Sequence, residues 1–392
     1  MKEVVAVSGV RTAIGKFGGT LKDYPATDLL ALVIKEALDR AGVEPDMVGD
    51  VVAGHCMQRS DEYVSGRLAG LKAGLPVTVP GVSIQRNCAS GMQAVIYAAQ
   101  QIMLEDEEIM IGSGVEVMSR VPYMLYDARW GKRLQHGGMK CGVIEGLTDP
   151  YCDLIMGLTA ENLAEKYDIS REEQDEVALR SHNSAEKATK EGRFKNEILP
   201  VEIPKRKGDP VVFDADEHFR PGLTMDDLKK LKPAFKKDGT VTAGNASGIN
   251  DAAAAIVLMS ADKAKELGIK PIAKLISYGV GGVEPELMGY GPVPATKKAL
   301  EKADMKIEDM ELIELNEAFA AQYLACEKLL NINRDITNVN GSGIALGHPV
   351  GCTGARIIIS LLNEMEKRGN TIGLATVCVG GGMGASSIWE ML

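Results

Sequence analysis

Along this chain, short runs rich in Val, Ile and Ala alternate with longer segments whose apolar residues recur every three to four positions. The short runs at 4–7, 51–53, 109–111, 312–315 and 374–379 predict strands. The periodic segments at 28–41, 91–104, 294–303 and 354–367 predict helices. Strands and helices in alternation predict an α/β protein whose sheets are covered by helices on both faces.

The pattern repeats itself. Ala37-Leu38-Asp39-Arg40-Ala41 is echoed by Ala299-Leu300-Glu301-Lys302-Ala303, and Asp46-Met47 by Asp309-Met310. A strand and a polar cluster follow in each case: Gly54-His55-Cys56 in the first copy, Asn316-Glu317-Ala318-Phe319 in the second. Each copy then has a loop leading into a small-residue helix, Asn87-Cys88-Ala89-Ser90-Gly91 against Gly347-His348-Pro349-Val350-Gly351. Each ends in a glycine-rich strand region, Ile111-Gly112-Ser113-Gly114 against Val379-Gly380-Gly381-Gly382. Echoes in the same order at nearly constant offset indicate a duplicated α/β unit.

The stretch 119–249 has no counterpart in the repeat. It is more polar and is broken by prolines at 122, 150, 200, 204, 210, 221 and 233. It holds one clear amphipathic helix over 170–192, where Ser170 is the N-cap and Glu173 completes a capping box. We expect 1–118 with 250–269 to form one α/β half, 119–249 an inserted loop domain that binds ligand, and 270–392 the second half.

A chain of 392 residues is long enough for two to three domains. With 45 % hydrophobic and 25 % charged residues it has the balance of a soluble globular protein. The formal net charge of −10 argues against a nucleic-acid partner. Seven cysteines, odd in number, irregularly spaced and without a Cys-x-x-Cys pair, argue against a disulfide framework and a structural zinc site. No signal-like or membrane-spanning run is present, so a cytoplasmic, membrane-free protein is expected.

Three positions carry candidate chemistry. Cys88 stands where a loop meets a helix; free N–H groups and positive partial charge there are expected to move a thiol, ordinarily near ~8.5, towards thiolate. His348 holds the matching place in the second copy, so a pseudo-two-fold axis would bring it to Cys88 as the base a cysteine nucleophile needs. Cys378 precedes Gly380-Gly381-Gly382, a run able to expose backbone N–H groups as an oxyanion hole. The same run fits a dinucleotide loop badly, because it flows into an apolar strand instead of opening a helix. Asn316, at a strand end, suits the positioning of a ligand or water.

Taken together, Asn87-Cys88-Ala89-Ser90-Gly91-Met92, the Thr242–Gly248 stretch Thr-Ala-Gly-Asn-Ala-Ser-Gly, Asn316-Glu317-Ala318-Phe319, Gly347-His348-Pro349 and Cys378-x-Gly380-Gly381-Gly382 resemble the motifs of the thiolase family, essentially from end to end. The resemblance implies duplicated halves stacked in five layers, αβαβα, with an inserted loop domain. It implies an acyltransferase that joins two acetyl-CoA molecules reversibly to acetoacetyl-CoA and CoA. Cys88 would attack the thioester with help from His348, and Cys378 would remove the α-proton of the second acetyl-CoA. One oxyanion hole would be His348 Nε2 with a water held by Asn316, the other the N–H groups of Cys88 and Gly380. Leu147, Arg220 and Ser247 would contact CoA. Met156, Phe235, Met288, Ala318 and Phe319 would line the pantetheine and acyl pocket, with Ala243 in the same substrate-binding set. Coenzyme A is substrate and product, no tightly bound cofactor or metal is implied, and family members usually form tetramers built from dimers.

Two details cut across this pattern. Ile155 stands where short-chain biosynthetic members carry histidine, and Gly351-Cys352-Thr353-Gly354 is similar to degradative members; the alternative is a degradative 3-ketoacyl-CoA thiolase of broader chain length. A ketoacyl synthase on the same fold would need histidine or asparagine where Cys378 stands.

Overall fold

The computed structural model describes all 392 residues except Arg133, Gln135 and Arg206. Nine principal strands build the main sheet: β1 (Val4–Thr12), β2 (Asp50–Gly54), β3 (Gly81–Ile84), β4 (Ile109–Val117), β5 (Asn250–Ser260), β6 (Ala273–Gly282), β7 (Leu312–Leu315), β8 (Ile372–Val379) and β9 (Met383–Met391). Their order is β7-β8-β9-β6-β1-β5-β4-β2-β3. The duplication is visible in the pairing. In the first half β2 runs parallel to β4, β4 antiparallel to β5, and β5 antiparallel to β1. In the second half β7, β8, β9 and β6 repeat that sequence: parallel, antiparallel, antiparallel. The halves meet through a short antiparallel contact of β1 with β6, Val5 opposite Lys274 and Ala6 opposite Ala273.

Helices complete the layers. α1 (Ala26–Ala41) and α2 (Ser65–Ala73) cover the outer face of the first half, and α3 (Ser90–Met103) covers its inner face. Two more helices, α4 (Met156–Lys166) and α5 (Arg171–Lys190), belong to the insertion. α6 (Pro292–Ala303) and α7 (Ala320–Leu330) lie outside the second half, and α8 (Val350–Arg368) packs on α3 and on strands of both halves. The stack is therefore αβαβα. α1 keeps one apolar stripe, burying Leu29, Leu30, Val33, Ile34, Ala37 and Leu38, because its far side meets solvent. α3 and α8 have sheet on one side and a helix on the other, so α3 and the first three turns of α8 are buried almost all round.

Glycine lets these two helices touch. A Cβ on Gly354 would lie 2.2 Å from Met92 N, and one on Gly91 would lie 2.8 Å from Ala355 N. Backbone then sits against backbone, and the N-termini of α3 and α8 are brought side by side.

The expected capping box is present: Ser170 Oγ accepts from Glu173 N at 3.2 Å, and Ser170 N donates to Glu173 Oε2 at 2.7 Å. The insertion does not stand apart from the halves. α4 and α5 pack on α7 of the second half and share one apolar cluster with it. A buried charge cluster fastens the insertion to the first half: Arg11 reaches Asp216 through Nη1 at 2.7 Å and Nη2 at 2.9 Å, and Glu197 through Nε at 2.7 Å. Among the described residues no helix is long and apolar enough to cross a membrane, and no group of three metal-ligating side chains occurs.

Candidate active site

The loop between β3 and α3 carries Cys88. Asn87, just before it, has φ +41°, a left-handed conformation uncommon for a non-glycine residue and of the kind stored at functional sites. The conformation is over-determined. Asn87 O accepts from Ser90 Oγ at 2.7 Å and from Cys56 Sγ at 2.8 Å, and Asn87 Nδ2 donates to Gly380 O at 2.8 Å. The last bond ties the nucleophile loop of the first half to the glycine loop after β8. The backbone N–H of Gly380 also favours the Cys88 thiolate against the effect of burial.

Cys88, half-buried, lines a cavity of about 750 Å³ together with Cys56, Met57, Leu147, Met156 and Gly380. That volume suits a drug-sized ligand or cofactor fragment. The thiol does not behave as the helix-terminus argument expects. Burial pushes it up to about 11, and the N–H groups of Gly380 and of Cys88 itself offset that only in part. Desolvation of a charged sulfur outweighs two donors and a short dipole. Alkylation of Cys88 by iodoacetamide should therefore climb about tenfold per pH unit between about pH 7 and about pH 9.5. Peptide mass spectrometry gives the rate, and a plateau below about pH 8 would contradict the assignment.

Cys378, on β8, is fully buried; burial and the neighbouring Cys88 raise its thiol well above the ordinary range. His348 is also buried, and burial, then the charge of Arg356, lower it to about 3, so its ring is neutral. Its Nδ1 lies 2.7 Å from Thr353 Oγ1, which donates to Pro349 O at 3.0 Å. With that hydroxyl proton engaged, Nδ1 is the donor of the pair and Nε2 keeps a free lone pair. Asn316 Nδ2 stands 3.4 Å from the same ring. Nε2 of His348 and Oδ1 of Asn316 are both buried without a partner, which is costly unless a reactant or water uses them.

The other expected binding residues divide into two groups. Leu147 and Met156 line the cavity. The Phe235 ring packs on Gly157, next to Met156, and meets Phe319 edge-on at 6.2 Å between centroids. Ala318 and Met288 are buried in the same cluster, and Ser247 N donates to Ala318 O at 2.9 Å. Arg220 and Ala243 are exposed, and neither they nor Ser247 line the cavity; Arg220 is held by its backbone N–H on His182 Nδ1 at 3.1 Å. Ile155 also stands outside the lining; it pairs with Thr148, and Met156 is the neighbour that faces the cavity. The residue that replaces the family's histidine therefore does not itself face the cavity.

Sequence reasoning gave no role to Cys56, Met57 or Glu116. The legible signal was Glu116 itself, a lone acid in the buried apolar strand Val115-Glu116-Val117.

The thiolase N-terminal domain model matches residues 4–262 and the thiolase C-terminal domain model residues 269–391. This chain belongs to the thiolase family. It is 51 % identical over 394 residues to beta-ketothiolase BktB of Cupriavidus necator, covering 100 % of each chain. Its structure matches the crystal structure of the Bacillus anthracis acetyl-CoA acetyltransferase with a TM-score of 0.99 at 54 % identity, covering 100 % of this chain and 99 % of the other. Human mitochondrial 3-ketoacyl-CoA thiolase in complex with CoA matches with a TM-score of 0.97 at 41 % identity, covering 100 % and 98 %.

Proposed function

We propose that the chain is an acetyl-CoA C-acetyltransferase that interconverts two acetyl-CoA with acetoacetyl-CoA and CoA through acetyl-Cys88. One observation carries this reading: two thiols come together from different halves, Cys88 near enough to raise Cys378, with the Gly380 N–H favouring thiolate at Cys88. A single thiol would serve for acyl transfer alone. A second beside it supplies a base for carbon–carbon bond formation.

The proton inventory fits. Both sulfurs start protonated and His348 starts neutral. His348 Nε2 takes the Cys88 proton as Sγ attacks the thioester carbonyl. The carbon–sulfur bond to CoA breaks, and CoA leaves as a thiol with the Cys378 proton. Cys378, now thiolate, removes the α-proton of a second acetyl-CoA. The carbanion attacks acetyl-Cys88, the new carbon–carbon bond forms, and Cys88 leaves and recovers its proton from His348. The N–H groups of Cys88 and Gly380 receive one developing oxyanion; His348 with a water on Asn316 receives the other. In this reading the insertion, 119–249, closes over CoA between the halves 1–118 with 250–269 and 270–392, and Leu147, Arg220, Ala243 and Ser247 hold CoA.

Short chains fit best. Met156 lines the cavity beside Cys88 and packs on the apolar cluster that holds Phe235, Met288 and Phe319, which in this reading bounds the acyl group. Each buried CH₂ contributes at most ~0.8 kcal/mol, so preference among 3-ketoacyl-CoA substrates should be graded. Acetoacetyl-CoA is expected to lead a chain-length series assayed with free CoA, with measurable activity a few carbons longer. An optimum at medium or long chains with negligible acetoacetyl-CoA cleavage would establish the degradative alternative.

We also propose a cytoplasmic homotetramer. Free thiols throughout the chain suit a reducing compartment. β3 leaves one sheet edge open, beside exposed Val82, Tyr97 and Leu104, and such an edge invites pairing with a second copy. Tyr123, Leu125, Trp130, Leu134 and Met139 form a second exposed apolar segment suited to joining dimers. Light scattering on the eluting protein should give four chains; a stable monomer would refute the assembly.

A further inference from the structure

Glu116 lies near the end of β4 and is 0 % exposed. Its carboxylate receives three backbone N–H groups: Oε2 accepts from Cys56 and from Gly351, each at 3.0 Å, and Oε1 accepts from Met57 at 3.1 Å. His55 Nε2 is 3.4 Å from Oε1, and His55 Nδ1 is 2.7 Å from Ser65 Oγ.

The three donors come from two halves of the chain. Cys56 and Met57 open the loop after β2 and line the cavity beside Cys88. Gly351 lies in the first turn of α8, three residues after His348. Gly351 is also pressed close: a Cβ there would lie 2.6 Å from Val115 O and 2.7 Å from Glu116 Oε2. One carboxylate thus pins the nucleophile's side wall to the helix that follows His348.

Its charge does not help Cys88. A negative group nearby opposes thiolate formation, as burial does; the groups that favour thiolate are the N–H of Gly380 and that of Cys88. A buried acid that works against its neighbouring nucleophile is retained for geometry, and a carboxylate is the side chain that can take donors from two loops at once.

We propose that Glu116 is a positioning residue for acyl transfer, holding the start of the His348 helix against the Cys56–Met57 wall of the cavity without touching substrate. The inference rests on the acetyl-transfer reading, in which Cys88 and His348 must meet the same thioester.

Glu116→Gln tests it. The amide keeps the shape, but its NH₂ faces one of the N–H groups that the carboxylate accepted. Thiolysis of acetoacetyl-CoA should lose about 10- to 100-fold in kcat per acetylatable Cys88, while KM stays within about threefold. The pH midpoint of Cys88 alkylation should move down, because a negative charge has gone; simple loosening would raise the rate at every pH without moving the midpoint. Glu116→Asp keeps the charge but withdraws the carboxylate by one methylene, so it should lose kcat without the midpoint shift, and it serves if the glutamine variant fails to fold. A lower melting temperature and a smaller acetylatable fraction, with kcat per acetylatable site unchanged in either variant, would mean a purely structural residue and overturn the proposal. Failure of the parent enzyme to acetylate at Cys88 would instead strike the acetyl-transfer reading.

Discussion

Cys88→Ala is expected to lose acetylation and turnover together, whereas Cys378→Ala keeps the acetyl-enzyme and loses condensation by about 10²–10⁴-fold. The difference follows from position. Cys88 lines the cavity together with Gly380, so a thioester entering the cavity meets it first. Cys378 is fully buried behind it and has only a proton to move. Removing Cys378 still leaves a nucleophile and the neutral His348 with its free Nε2, and water entering the cavity can protonate the departing CoA in place of Cys378. Intact-protein mass spectrometry after incubation with acetyl-CoA should show one added acetyl group on the parent and on Cys378→Ala, and none on Cys88→Ala. Acetyl label retained by Cys88→Ala at another cysteine would reassign the nucleophile.

Gly354→Ala should force apart the two helices at the molecule's centre. Its Cβ would stand 2.2 Å from Met92 N and 2.8 Å from Met92 Cβ. The first of these is backbone and cannot swing aside, so α3 and α8 must separate. Overpacking of this kind costs about 1–3 kcal/mol. Activity should suffer more than stability, because these helices carry Cys88 and His348 at their N-termini and a displacement of about 1 Å can cost about 10²-fold. Gly138→Ala is the control: nothing lies within 4 Å of its Cβ position, and stability should change by no more than about 0.5 kcal/mol. Thermal melts and kcat on the two variants decide the matter. An unchanged kcat in Gly354→Ala would mean that the helix contact does not set the site.

The strands at Val4, Val51 and Leu312 were legible as short apolar runs, and the helices at 28–41 and 294–303 because each has a solvent side and a clear period. β5 was not. Its sequence, Asn-Asp-Ala-Ala-Ala-Ala-Ile-Val-Leu-Met-Ser, is buried throughout, so nothing alternates, and its alanines favour helix in isolation. The reactive trio was legible because Cys88, His348 and Cys378 stand at repeat-related turns with unusual glycine content. The state of the thiol was not, since desolvation depends on what packs around the sulfur and no local pattern records it. The insertion's docking was hidden for the same reason: α5 announces its cap and its apolar stripe but not which helix will cover that stripe.

Because α3 is finished early and α8 late, the order of synthesis matters to this fold. The first half has all its strands once Ser260 has been made, yet the inner face of α3 has no helix against it until Val350–Arg368 follows near the C-terminus. At roughly 5–20 residues per second the interval lasts on the order of seconds. During it a nascent chain presents a bare apolar helix with a reactive cysteine at its tip. Ribosome-bound chains of this length are therefore the form of the molecule most in need of a chaperone, and a message truncated before Val350 yields a product that stays in that state.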